Sequence, residues 1–65
     1  MRILAPFELR VLNERVELSE KIEKLEAFLN RDNSSISKEQ RSLLIEQVDA
    51  MIRYAAILSQ RIQLF

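Results

Sequence analysis

Residues 43–62 read LLIEQVDAMIRYAAILSQRI, an uninterrupted stretch without Gly or Pro that decides the predicted fold. Its apolar residues recur at steps of three and four, which predicts an amphipathic helix. One apolar stripe marks the face toward a partner helix: Leu44, Val48, Met51, Ala55, Leu58 and Ile62. A second apolar row extends this surface around one border: Ile45, Ile52 and Ala56. One partner helix cannot cover so broad a surface, so contacts with further helices are expected.

The chain is short, with 65 residues, and it contains no Cys and no His. A domain of this size buries little of its surface and usually needs disulfides, a metal or self-association to be stable. The composition removes disulfides and the common zinc ligands. The hydrophobic content of 48% is typical of a folded chain. Self-association remains, and a homo-oligomer is therefore predicted.

A first helix precedes this stretch. Pro6 suits the first turn of a helix, because its missing N–H is not needed there, and an apolar stripe continues to Leu29 with Arg15 as its one charged member. The Asn, Asp and Ser residues that follow favour a loop. Ser37, with Gln40 three residues later, then predicts the N-cap of the second helix.

Matched helix lengths and a short connection predict an all-α fold. The expected structure is an antiparallel two-helix hairpin that assembles into a helical-bundle homo-oligomer. We call the contact line between the two apolar stripes the seam. At each level of the seam an apolar residue of one helix is expected opposite an apolar residue of the other, except where Arg15 lies opposite Leu58. The predicted ranges are helices at about 6–30 and 38–63, a connecting loop at 30–37 and a single domain over 1–65.

The borders of the two stripes give the hairpin two different sides. One side is mostly apolar and is expected to contact a neighbouring hairpin; it collects Leu12, Val16, Ser19, Ile45, Ile52, Ala56 and Ser59. The other side carries a polar cluster that apolar residues bracket at both ends: Glu14, Lys21, Gln47, Tyr54 and Arg61.

The polar cluster contains the groups that a nucleotide pocket requires. Tyr54 offers a stacking face and a hydroxyl, Lys21 and Arg61 offer donors for phosphate, and Gln47 can hydrogen-bond a base edge. The alternative interpretation is structural. In that case Glu14 and Arg61 form an ion pair within the hairpin, while Tyr54 and Gln47 lie at the rim of the core.

Arg15 is a separate candidate, because a long cation on an apolar seam needs a polar partner. It can extend to the edge of the seam, pair with a carboxylate from another subunit, or contact an anionic ligand at a subunit junction.

Several functional classes are not expected. The sequence has no His, no Cys and no Gly-rich phosphate loop, so neither an enzyme nor a cofactor is predicted. Ten basic and ten acidic residues balance to zero net charge, which argues against binding to long nucleic acids. No apolar run approaches transmembrane length, and no secretory signal is recognisable. A cytoplasmic protein that does not bind membranes is expected.

A spaced series of residues runs through both helices: Arg15-Val16, Lys21-Ile22, Lys24-Leu25, Phe28-Leu29, Leu43-Leu44, Glu46-Gln47, Ala50-Met51, Tyr54, Ile57-Leu58 and Arg61-Ile62. This series resembles a family of very short helical-hairpin proteins from crAss-like and other bacteriophages. Those proteins are similar in turn to the hairpin of phage anti-CBASS and anti-Thoeris sponges.

The resemblance implies a phage anti-defence sponge that acts in the host cytoplasm. Such sponges assemble from hairpins, often as hexamers, and bind cyclic nucleotide or cyclic ADP-ribose-like immune signals between subunits without cleaving them. The matched pattern implies these ligand-binding residues: Arg15, Lys21, Gln47, Tyr54 and Arg61.

Two other interpretations stay open. The first is a structural or protein-interaction hairpin that forms a homo-oligomeric bundle, which needs only the apolar surfaces. The second is an RNA-binding bundle, which the zero net charge disfavours.

Overall fold

The chain folds as two α-helices in a computed structural model that describes residues 3–31 and 35–65. Helix α1 spans Pro6–Asn30 and helix α2 spans Lys38–Gln63. No strand occurs in the described parts of the chain. The prediction of two helices in an all-α fold is confirmed. Residues 32–34 of the predicted loop lie outside the described residues, and assembly into an oligomer stays a prediction.

Helix α1 begins as the sequence predicts, with Pro6 in its first turn after an extended Ala5. The buried carboxylate of Glu8 accepts a hydrogen bond from the N–H of Ala5 at 2.8 Å. This contact satisfies one of the backbone donors that a helix N-terminus leaves open. The contact is not apparent from the sequence, because Ala5 is a poor N-cap residue. At the other end, the N–H of Arg31 donates to the carbonyl of Phe28 at 3.2 Å.

Helix α2 begins at the predicted cap. The hydroxyl of Ser37 accepts a hydrogen bond from the N–H of Gln40 at 3.1 Å, which is the geometry of an N-cap. Glu39 lies in the first turn and Arg61 in the last, so each charge complements the helix dipole at its end.

The helices pack antiparallel along one narrow seam, in a molecule that measures 50 × 15 × 15 Å. At the open end the rings of Phe7 and Phe65 meet edge to face, with centroids 6.0 Å apart. Leu58, in the seam, is completely buried. The buried core cluster consists of Val11, Leu18, Ala55 and Leu58, with Ile22, Met51, Ile62 and Phe65 packed partly buried against it.

Neither helix contains a segment apolar enough, over the length required, to cross a bilayer within the described residues. Many large apolar side chains nevertheless stay exposed on the hairpin, because a two-helix layer has only one face to bury. The exposed set includes Leu9, Val16, Leu43, Ile45, Ile52 and Ile57.

Candidate functional site

A hydrogen bond between the two helices organises the polar side of the hairpin. The hydroxyl of Tyr54 donates to Oε2 of Glu14, which lies 40 positions earlier in the chain. Because Glu14 accepts this hydrogen bond and adds negative charge nearby, it raises the pKa of Tyr54 above its ordinary value. Partial desolvation also raises this pKa, whereas the positive charge of Arg61 lowers it. The phenol is therefore neutral at physiological pH and acts as a hydrogen-bond donor.

Beside this pair lies an open groove of about 600 Å³ toward the open end of the hairpin. Two cations, Arg10 and Arg61, and two carboxylates, Glu14 and Glu17, contribute to its wall, and Phe7 supplies an exposed aromatic ring. The groove thus combines donors for an anion with acceptors for hydroxyl or amino groups.

The structure distributes the predicted polar residues along both helices, with Glu14 and Lys21 on α1 and the other three on α2. Tyr54 lies seven positions from both Gln47 and Arg61, which corresponds to about 10.5 Å along the helix in each direction. Arg61 lines the groove directly, whereas Tyr54 connects to it through Glu14. The side-chain amide of Gln47 faces the sulfur of Met51 at 3.9 Å, and Lys21 is exposed on α1.

The structural alternative for the polar cluster is only partly realised. Tyr54 does lie at the rim. Glu14, however, accepts a hydrogen bond from the Tyr54 hydroxyl, and within the described residues Arg61 forms no ion pair with Glu14. The charge of Arg61 therefore has no carboxylate partner within ion-pair distance there, and it remains available to an anion.

Arg15 lies on the other side of the hairpin. Its Nε donates to the hydroxyl of Ser59 at 2.9 Å, and its NH1 group donates to the hydroxyl of Ser19. The guanidinium thus extends from the seam to its edge, while Leu58 remains buried beneath it. The structure does not bring Arg15 together with Tyr54 and Arg61 within one hairpin.

Comparison with known proteins identifies the family. The family model described as Sequestin matches residues 5–64, which include both helices. The chain belongs to the Sequestin family. No curated protein and no solved structure matches it significantly. The family name suggests a sequestering role, that is, binding of a ligand.

The Sequestin match also covers groove residues that the sequence analysis missed. Arg10, Asn13 and Glu17 line the groove together with Glu14, which had been predicted on this side, and the spacing of three and four places all of them on one face of α1. The same periodicity that defined the apolar stripe could have found this polar row. It was missed because Arg10 and Asn13 are ordinary residues for a solvated helix face.

Proposed function

We propose that this Sequestin family member is a phage anti-defence sponge. It binds a cyclic nucleotide or cyclic ADP-ribose-like immune signal and withholds it from the host effector without cleaving it. The observation that carries the proposal is the family match over residues 5–64, to a family whose name suggests sequestration. The resemblance of the spaced residue pattern to phage sponges supports the same function.

The groove has the chemistry that such a ligand needs. Arg61 and Arg10 donate to phosphate oxygens, and charge-assisted bonds of this kind are the strong ones. The carboxylate of Glu14 and the amide of Asn13 accept hydrogen bonds from ribose hydroxyls or an exocyclic amine. Equal numbers of cations and carboxylates suit a small ligand with few charges, because a long polyanion would be repelled by the carboxylates.

Tyr54 positions and extends this site. Its hydroxyl holds the Glu14 carboxylate, so less side-chain freedom is lost when a ligand arrives. Its exposed ring provides a surface on which a base stacks, in the manner of aromatic residues that bind nucleobases. Gln47 and Lys21 lie further toward the loop and contact the distal part of the ligand. Arg15 lines a cavity on the other side of the same hairpin, so the site proposed in this groove does not include it.

Isothermal titration calorimetry against cyclic dinucleotides, cyclic trinucleotides and cyclic ADP-ribose isomers tests the proposal. We expect one of these ligands to bind with micromolar or tighter affinity and to be recovered chemically unchanged. Arg61→Gln should weaken that binding by about 10- to 100-fold, the effect of losing one charge-assisted hydrogen bond. Arg53→Gln removes the same charge from an exposed position of α2 outside the groove and should leave the affinity unchanged.

Two outcomes would contradict this function. One is the absence of binding to every member of the panel at tens of micromolar; the other is consumption of the ligand during incubation. A structural hairpin is the alternative function. It would be supported if native mass spectrometry of protein purified from bacteria showed no small molecule and a pull-down recovered a stoichiometric protein partner.

A further inference from the structure

The side of the hairpin that faces away from the groove carries an unpartnered apolar surface. We call it the apolar side and define it by Val16, Ile45, Ile52 and Ala56. Its three large side chains are 43 to 58% exposed. An exposed surface of this kind is typical of protein contacts.

Charge is distributed unevenly along this side. Arg15 and Glu23 line the same cavity of about 380 Å³, and Ser19 lies midway between them on α1. The two charged residues are eight positions apart, about 12 Å along the helix, so they do not neutralise each other within one hairpin. The described hydrogen bonds of Arg15 go to hydroxyls, which do not balance its charge.

We propose that a second copy of this chain covers the apolar side, related by a two-fold axis that passes close to Ser19. Such an axis reverses the direction of the partner hairpin. It therefore places Arg15 against the partner subunit's Glu23, and Glu23 against the partner subunit's Arg15. A two-fold interface is self-complementary by definition, and this pattern of charges satisfies that requirement. In a parallel arrangement each Arg15 would instead lie opposite the partner subunit's Arg15, and the two like charges would repel.

The shape of the surface agrees with the same axis. Ile52 and Ala56 both line the cavity, and their midpoint on α2 lies near the level of Ser19 on α1. The two-fold axis brings the large Ile52 side chain of one copy over the small Ala56 side chain of the other. Each isoleucine then fills the cavity of its partner, which gives the close packing that stable interfaces show.

This interface does not depend on any ligand. It leaves the groove between Arg10 and Arg61 open to solvent on the opposite side of the hairpin. It also gives Arg15 a role that is distinct from ligand binding. The test therefore uses the ligand-free protein, and its result is independent of the calorimetry described above.

A charge exchange tests the pairing by sedimentation equilibrium. Arg15→Glu and Glu23→Arg, each alone, should raise the dimer dissociation constant by about tenfold or more, because symmetry replaces two attractive contacts by two repulsive ones. The double variant Arg15→Glu/Glu23→Arg restores both attractions and should return the constant to within about threefold of the wild type. Lys24→Glu changes charge to the same extent as Arg15→Glu on a different face of α1 and should have little effect.

Circular dichroism at matched concentrations separates dissociation from misfolding. Glu23→Arg is the critical single variant, since Glu23 is exposed and has no described hydrogen bond within the hairpin to lose. The proposal is overturned if the wild-type protein is a stable monomer. It is also overturned if Glu23→Arg leaves the dimer dissociation constant unchanged. The same holds if the dissociation constant of the double variant is raised by the product of the two single increases.

Discussion

Replacing Leu58 by alanine should destabilise the hairpin more than any conservative change at its surface. Leu58 is 0% exposed and lies at the centre of the core cluster. The substitution removes roughly three buried carbons at about 0.8 kcal/mol each, or about 2.4 kcal/mol of transfer free energy. The cavity that remains raises the expected loss to about 3 to 4 kcal/mol. A chain of this length typically has only about 3 to 10 kcal/mol of stability, so the loss is a large fraction of the total and the urea midpoint should fall steeply.

Urea unfolding followed by far-ultraviolet circular dichroism measures this loss. Ile57→Ala is the matched control, because Ile57 is the adjacent residue and is 55% exposed. It should cost less than about 1 kcal/mol. All proteins are compared at one concentration, since self-association adds to apparent stability. A loss below about 1 kcal/mol for Leu58→Ala, or equal losses for the two variants, would refute the assignment of the seam as the core.

Two further predictions concern single side chains. Folding raises the pKa of Tyr54 above 10.0, mainly through its hydrogen bond to Glu14, so the folded state holds the phenolic proton more tightly than the unfolded chain. This contribution to stability is complete below pH 10.0 and is lost as the pH rises through the pKa of the folded state. Tyr54 is the single tyrosine and tryptophan is absent, so ultraviolet absorbance reports the phenolate of Tyr54 alone. In Glu14→Gln the midpoint of this titration should fall toward 10.0. Ser37→Ala should cost about 1 kcal/mol in urea unfolding by removing the N-cap of α2. Ser42→Ala, a change at an exposed position within the helix, should be neutral or slightly stabilising, and an equal loss at both serines would contradict the capping role.

Much of the fold follows from local patterns. Pro6 and Ser37 mark the starts of the two helices, and both act there in the structure. The apolar stripes predicted the residues of the seam, in which the structure buries Leu58 completely. These features could be predicted because helix periodicity and capping depend on residues only a few positions apart.

The site could be predicted only in part. The sequence placed Glu14, Tyr54 and Arg61 on one side of the hairpin, and the structure brings them close together. It did not reveal that Tyr54 bonds Glu14, nor that Arg10 completes the groove. A long polar side chain has several rotamers and several partners within reach, and spacing along one helix does not choose among them.

The sequence by itself determined that the chain forms two amphipathic helices and which residues line their common seam. The tertiary structure decided which side chains meet across that seam. Arg15 and Ser59 are separated by 44 positions, yet their hydrogen bond turns the one cation of the core stripe toward the apolar side. The same packing leaves Arg61 beside the open groove. Such contacts depend on the register and rotation of one helix against the other, which follow from packing of the whole seam and from no local pattern.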